Sequence, residues 1–289
     1  MFGGDARIAP MPGTLYLVAT PIGNLDDITH RAIKVLGEVE LIACEDTRHT
    51  RKLLKHYSIS TRTISYHEHN ERERAAELLT RLNAGDSVAV VSDAGTPGIS
   101  DPGFRLVQLA VENKIRVVPV PGANALVNAL IASGLPTDEF FFGGFLPSRS
   151  GPRRTRLKSL ASIPVTLIFY EAPHRLAAAL RDAAEVLGPR QAVVARELTK
   201  LHEDIVRGSL SGLAERYASE NVRGEIVLVI DRGTGEAKTD VTTTSIGERV
   251  SRFESEGMDH RAALKKAARE LGLSRDEAYR RLAAERGNA

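Results

Sequence analysis

VAVVSDAGTPGISDPG, Val88–Gly103, is the stretch that decides the fold. Four apolar residues run straight into Ser92-Asp93. The loop that follows is unusual, because seven of the twelve residues from Ser92 to Gly103 are Gly, Pro or Asp. A short apolar run bounded by turn residues reads as a strand buried on both faces, as in a parallel sheet. Ligands of α/β proteins gather outside the carboxyl ends of such strands. Glycine lets the backbone approach a ligand closely, and proline fixes a loop's shape before anything binds. Asp93, at the strand tip, is placed to accept from a hydroxyl or a cation. Asp101 is expected to cap the next helix, whose apolar positions include Phe104, Val107 and Leu109.

Outward from this loop, strand-like runs alternate with helical periods through the first ~230 residues, an α/β pattern. Strands are expected at Thr14–Ala19, Glu40–Ala43, Thr63–Tyr66, Ser87–Val91 and Arg116–Val120. After them come Glu139–Phe142, Pro164–Tyr170, Gln191–Arg196 and Glu225–Ile230. Asn70 with Glu73 reads as a capping box opening a helix that buries Ala75, Leu78, Leu79 and Leu82 and closes at Gly85. A further helix is expected over Pro173–Val186. Pro121-Gly122 punctuates the chain after the fifth strand and marks a domain junction, with two sheets facing each other across a cleft. The segment Arg232–Thr244 has little apolar content and reads as a linker. Beyond it, Leu264, Ala267, Ala268 and Leu271 form a helical stripe ending at Gly272, and Ser274 with Glu277 opens another helix.

Composition narrows the class of function. The chain has 289 residues, 42% hydrophobic and 26% charged, with a net charge of +2. That balance suits a soluble globular protein of two domains with a small extra module. No apolar run approaches the ~18 residues a membrane span needs. The opening MFGGDARIAPMPG lacks a basic start followed by an apolar stretch, so a cytoplasmic protein is expected. Cys44 is the single cysteine, which excludes an intramolecular disulfide and a multi-cysteine metal cage. Charge is concentrated locally: Arg149–Lys158 carries five basic residues and no acidic one. From Asp240 to Ala289 there are ten Lys/Arg against nine Asp/Glu, so the C-terminal helix pair has no basic excess to meet a DNA groove.

Two more strand ends, Thr20-Pro21-Ile22-Gly23-Asn24 and Pro121-Gly122-Ala123-Asn124, have the same Gly/Pro character. Three such loops point to one shared pocket. The sequence contains no G-x-x-x-x-G-K-[ST], so a phosphate cradle with its lysine is absent, and no strand-borne G-x-G-x-x-G, which argues against a dinucleotide fold.

TPIGNLDDIT, CEDTR, SDAGTPGISDPG, PVPGANA and YEAPHR, in that order over roughly residues 13–232, resemble the tetrapyrrole methylase superfamily. Within it the chain most resembles the ribosomal RNA small-subunit methyltransferase I family. The resemblance implies two αβα domains, 13–121 and 122–232, with S-adenosylmethionine in the cleft between them, and a small helical module at 245–289. It implies 2'-O-methylation of the ribose of a decoding-site cytidine, cytidine 1402, in 16S rRNA, within the 30S subunit, by a homodimer. It places Pro21, Asp93, Thr96, Pro121, Gly122, Ala123, Asn124, Tyr170, Ala195, Gly224 and Glu225 around the cofactor. Ser92 departs from the superfamily's Gly-Asp-Pro loop.

A ribose hydroxyl is a poor acid, so a carboxylate or imidazole beside it assists methyl transfer. Glu45, then Glu171, are the first candidates. Asp46, His67 and His174 also lie past strand ends; Asp46 is equally suited to cap a helix and His174 to orient Glu171. His67 and His69 form an H-x-H pair without an identifiable third ligand, and no metal is expected. Contacts to RNA phosphates are expected from Arg48, Arg51 and Lys52, with Lys55 on the same helix, and from Arg149, Arg153, Arg154, Arg156 and Lys158. Two rival readings are methylation of a tetrapyrrole carbon and a non-catalytic RNA-binding protein.

Overall fold

The structure is a computed structural model that describes residues 12–233, 246–270, 273 and 275–287. The chain divides into two compact units, Met1–Gly235 and Glu236–Ala289.

The first unit holds two five-stranded sheets. One is built from β1 (Thr14–Val18), β2 (Leu41–Cys44), β3 (Thr63–Ser65), β4 (Val88–Val91) and β5 (Arg116–Val120), interleaved with α1 (His30–Glu38), α2 (Thr47–His56), α3 (Glu71–Asn83) and α4 (Phe104–Glu112). Its order is β3-β2-β4-β1-β5 and every pair is parallel. All four β4 residues are buried. Successive side chains of a strand face opposite ways, so Val88 and Val90 pack with α3 and α4 while Ala89 and Val91 pack with α1 and α2. This double burial is why the stretch reads as a continuous apolar run.

The topology also locates the ligand crevice. β1 and β4 are neighbours, yet β1 leads to α1 on one face and β4 leads to α4 on the other. Their loops therefore part, and a parallel sheet binds ligands at such a switch point.

The second sheet has the order β6-β7-β10-β8-β9. It comprises β6 (Phe140–Phe145), β7 (Thr166–Glu171), β8 (Gln191–Arg196), β9 (Asp204–Ser209) and β10 (Ile226–Ile230). Only β6 and β7 are parallel; the other pairs are antiparallel. Helices α6 (Ser150–Leu160), α7 (Leu176–Leu187) and α8 (Leu210–Ala218) cover one face through Leu157, Leu180 and Leu213. α5 (Ala125–Ser133) covers the other, where Leu126, Ala129 and Leu130 meet Ile168, Val193, Val227 and Val229. Ile22, from the loop after β1, belongs to this same cluster and ties the first sheet's loops to the second sheet.

The second unit consists of α9 (Ile246–Ser255), α10 (His260–Glu270) and α11 (Arg275–Gly287) around Val250, Phe253, Leu264, Ala267, Ala278 and Leu282. Ser274, Gly272, Leu271 and the linker beyond Gly233 lie outside the described residues. No helix among the described residues is long and apolar enough to cross a membrane.

Several local expectations are corrected. Asn70 does stand at the start of α3, but its side chain makes no cap; Oδ1 accepts from the His67 amide at 2.8 Å instead. Asp101 does not cap α4, because the cap position is Gly103, at φ 144°. The Gly103 amide donates to Glu71 Oε1 at 3.4 Å, so a carboxylate from α3 serves this helix start. Phe104 is 74% exposed, while Leu106 and Ala110 carry the buried face of α4. Residues Pro173–Arg175 form a 3-10 turn, and the α-helix proper begins at Leu176. Asp204–Ser209 was not expected as a strand: DIVRGS has only Val206 buried, as suits the sheet's outer strand.

Candidate active site

The three Gly/Pro loops do come together. After β1, the Thr20 amide donates to Gly95 O at 2.9 Å, the Gly95 amide returns a bond to Thr20 O at 3.1 Å, and Thr20 Oγ1 donates to Ser92 O at 3.1 Å. The loops after β4 and β5 are stitched by Asn124 Nδ2 donating to Thr96 Oγ1 at 3.1 Å and Thr96 Oγ1 donating to Ala123 O at 3.4 Å. Asn124 also caps α5, its Oδ1 accepting from the Val127 amide at 3.2 Å. Gly95 sits at φ +84°, where a β-carbon would press on Ile22 Cγ2 at 3.2 Å, so only glycine lets the loop lie this close.

Across from these loops stand the carboxyl ends of β7 and β8 and the start of β10. Between the two sides is a cavity of about 360 Å³, at the small end of the range of ligand pockets. Of the residues expected at the cofactor, Asp93, Thr96, Asn124, Tyr170, Ala195, Gly224 and Glu225 line it. Pro21, Pro121, Gly122 and Ala123 do not. Gly122 instead lies so close to Ala19 that a β-carbon would stand 2.9 Å from the Ala19 Cβ, so it supports the loop from behind.

The lining has a marked charge. Asp93, Asp101, Glu171 and Glu225 contribute carboxylates, and no Lys, Arg or His is among the lining residues. Its apolar part is Ile22, Ile99, Leu198, Val227 and the ring of Tyr170, which Phe142 and Phe145 hold edge-on at centroid distances of 5.0 and 5.6 Å. Behind the lining Glu171 pairs with Arg175 and Glu225 with Lys200 at 3.2 Å, which leaves Asp93 and Asp101 without a cationic partner among the described residues. A flat apolar ring system bearing a positive centre is complemented here.

The carboxylates are not equivalent. Asp93 Oδ1 accepts from the Asp46 amide at 3.1 Å, which fastens the tip of β4 to the start of α2. Glu171 is fully buried; its Oε1 accepts from Arg175 Nε at 2.8 Å and from the Ala172 amide at 2.8 Å, while Oε2 has no partner. One carboxylate oxygen of Glu171 is thus committed to the Arg175 guanidinium, and His174, expected to orient it, is exposed. Glu45 lies outside the cavity lining; burial and then the Asp93 charge push its pKa up. Asp46 is the cap of α2, its Oδ1 accepting from the Arg48 amide at 2.8 Å, and it also binds the Arg48 guanidinium. His67 Nδ1 is buried without a partner, and the His67 and His69 rings stand 5.9 Å apart.

Asp101 is the residue that sequence reasoning assigned to the wrong task. Freed from capping, it lines the cavity, and burial, followed by the charges of Glu45 and Asp93, pushes its pKa up to about 6. The available signal was its place in the same loop as Asp93, two residues before a glycine that can itself occupy the cap position.

The basic residues separate as well. Arg153 is buried: Nε donates to Asp182 Oδ2 at 2.7 Å, and the guanidinium also reaches Ser148 O. It serves the core and is not free to meet a phosphate. Arg154 is paired with Glu185 and Asp182. Arg149, Arg156 and Lys158 are exposed, with Arg156 lying 5.3 Å over the Phe141 ring. On α2, Arg51 and Lys52 are exposed, while Arg48 is held by Asp46.

Comparison with known proteins agrees with this architecture. The family model for Tetrapyrrole (Corrin/Porphyrin) Methylases matches residues 14–214. Ribosomal RNA small subunit methyltransferase I of Synechocystis sp. is 49% identical over 268 residues, covering 92% of this chain and 96% of the relative. Its namesake from Bacillus subtilis is 43% identical, covering 92% and 93%. Among solved structures, a diphthine synthase superposes with a TM-score of 0.60 at 14% identity, covering 76% of this chain and 90% of that one. The uroporphyrin-III C-methyltransferase of Thermus thermophilus complexed with S-adenosyl homocysteine does so with 0.53 at 21%, covering 76% and 97%. At such identities these two show the fold alone. With the family model spanning most of the chain and full-length relatives near half identity, this chain belongs to the tetrapyrrole methylase family, in its ribosomal RNA small subunit methyltransferase I branch.

Proposed function

We propose that the chain transfers a methyl group from S-adenosylmethionine to the ribose 2'-oxygen of a decoding-site cytidine, cytidine 1402, in 16S rRNA. The observation that carries the reading is the cavity with four carboxylates, an apolar wall and no basic residue. It suits an adenosyl group joined to a sulfonium and an ammonium. The exposed basic residues Arg51, Lys52, Arg149, Arg156 and Lys158 suit a polyphosphate backbone and favour an RNA acceptor over the tetrapyrrole rival.

Asp93, Thr96 and Asn124 hold the cofactor from the first sheet's side, and Tyr170, Ala195, Gly224 and Glu225 from the second. The unpartnered Oε2 of the buried Glu171 is an acceptor waiting for a donor, since a buried carboxylate oxygen left without one is costly. S-adenosylmethionine supplies there a methyl carbon already activated by its sulfonium. What remains for the protein is alignment and removal of a proton. Asp101 accepts the proton of the ribose hydroxyl, with Glu45 behind it keeping its basicity high. Glu171, held in place by Arg175, positions the cofactor. The target nucleotide leaves its stack to reach the cavity. The same reading carries a homodimer acting in the cytoplasm.

The test supplies labelled S-adenosylmethionine with 30S subunits, protein-free 16S rRNA and a porphyrinoid precursor, followed by mapping of the labelled nucleotide. Label in a ribose of 16S rRNA is expected. Label confined to the porphyrinoid, or binding of RNA without affinity for the cofactor, would overturn the proposal.

A further inference from the structure

A second concavity lies away from the cofactor cavity, at the opposite end of α2. It has a volume of about 650 Å³ and is lined by Arg51, Leu54, Lys55, Ser58, Ile59, Ser60, Thr61, Arg62 and Thr63. Three cations, Arg51, Lys55 and Arg62, stand there with four hydroxyl residues, Ser58, Ser60, Thr61 and Thr63. No carboxylate faces them. Among the described residues, Arg51, Lys55 and Arg62 form no ion pair, and all three are exposed.

Two features make this more than a solvated face. First, it is concave and built by a chain reversal: Ser58 adopts φ 55°, and the Ser58 and Ile59 amides bond back to Lys55 O and Leu54 O. That reversal folds the hydroxyl-bearing segment Ser58–Thr63 against the end of the helix, beside the outer strand β3. These bonds take up the carbonyls of Leu54 and Lys55 in the last helical turn. The residual negative end of the helix dipole, equivalent to about half a charge, is outweighed by three full positive charges. Second, the concavity is joined to the active site by a basic track. α2 starts where the Asp46 amide binds Asp93 at the cofactor cavity, and its ten residues span about 15 Å. Thr50, Leu53 and Leu54 face the core, which leaves Arg51, Lys52 and Lys55 on the outer side, leading to Arg62.

We infer that the groove formed by Arg51, Lys55, Arg62 and the hydroxyls of Ser58, Ser60 and Thr63, with Thr61 Oγ1 fastening the segment by donating to Leu36 O at 2.6 Å, binds a backbone phosphate of the substrate RNA, away from the nucleotide being methylated. The inference rests on the RNA reading of the active site. It adds Arg62 and the hydroxyl segment, which the sequence pattern did not single out, and it assigns them to docking and not to chemistry. A contact about one helix length from the reacting atoms strengthens RNA binding and leaves the chemical step alone.

The double variant Lys55→Gln/Arg62→Gln tests it, with Lys114→Gln, an exposed lysine on the loop before β5, as a control for net charge. KM and kcat are measured between 50 and 200 mM salt, conditions chosen for their range, on whichever of 30S subunits or protein-free 16S rRNA the wild-type chain methylates. The double variant should raise KM roughly tenfold and flatten the slope of log KM against log salt by about 0.7–0.9, the loss of one phosphate contact. Its kcat, its affinity for S-adenosylmethionine and its thermal midpoint should match wild type. Lys114→Gln should leave the slope unchanged. An unchanged slope in the double variant, or an equal change in the control, would overturn the groove while leaving the methyltransferase reading intact. If the wild-type chain methylates neither substrate, the RNA reading falls and the groove with it.

Discussion

Two aspartates eight residues apart in one loop have different tasks, and their surroundings decide which. Asp93 is tied to the Asp46 amide and lines the cavity. Asp93→Ala removes a charge-assisted contact and should weaken S-adenosylmethionine binding roughly 10- to 100-fold by calorimetry; unchanged affinity would show that the carboxylate is no ligand. Asp101 has its pKa raised to about 6 by burial and by the neighbouring Glu45 and Asp93. As the proton acceptor it works ionised, so the rate should fall tenfold per pH unit below about 6 and level off above it. Asp101→Asn should lower kcat by about 100-fold or more and abolish that inflection, with cofactor affinity little changed. The raised pKa has an opposite consequence for stability. The folded state holds this proton more tightly than the unfolded one, so the contribution is greatest at low pH and is lost as pH rises from the ordinary carboxylate range through about 6. Asp101→Asn should therefore melt a few degrees higher than wild type at pH 7. A variant that melts lower would contradict the burial argument.

Helix α6 shows how a basic run can deceive at the scale of an element. Read along the chain, Arg149–Lys158 is one patch of five positive charges. Wound into a helix, it sends Arg153 inward with Leu157 and Leu160, against Asp182 of α7. Ser150 Oγ also donates to Asp182 at 3.0 Å, which completes a buried polar cluster between the two helices. Arg153→Gln leaves that carboxylate without its main partner and should cost about 3 kcal/mol in denaturant unfolding. The salt dependence of RNA binding should not move. The double change Arg153→Met/Asp182→Leu should recover most of the lost stability, because an apolar pair of similar bulk avoids burying either charge. A loss in the single variant below about 0.5 kcal/mol, the size typical of surface changes, would return Arg153 to the surface patch.

For the whole molecule, the cofactor cavity lies entirely within the unit Met1–Gly235, and the unit Glu236–Ala289 has its own apolar core around Phe253 and Leu264. A chain ending at Gly235 should keep its affinity for S-adenosylmethionine within about threefold, since no cavity residue is removed. Calorimetry of the full chain should show two transitions, the smaller one missing after truncation. Loss of cofactor binding in the shortened chain would show that the helical unit supports the cavity.

Local sequence determined a great deal here. The double-sided burial of β4, the order of strands and helices through β5, and the three Gly/Pro loops were legible because each depends on side-chain period or on backbone permission, both local properties. What depended on distant partners was not legible. The outer strand β9 has one buried residue and so almost no pattern to read. The α4 helix start takes its carboxylate from Glu71 and not from Asp101, thirty residues nearer in the chain. Asp182, 29 residues on, decides that Arg153 is buried. Whether a carboxylate caps, anchors or takes a proton depends on the charges and solvent around it, and only the packing of β4, β7, β8 and their loops about one cavity supplies those.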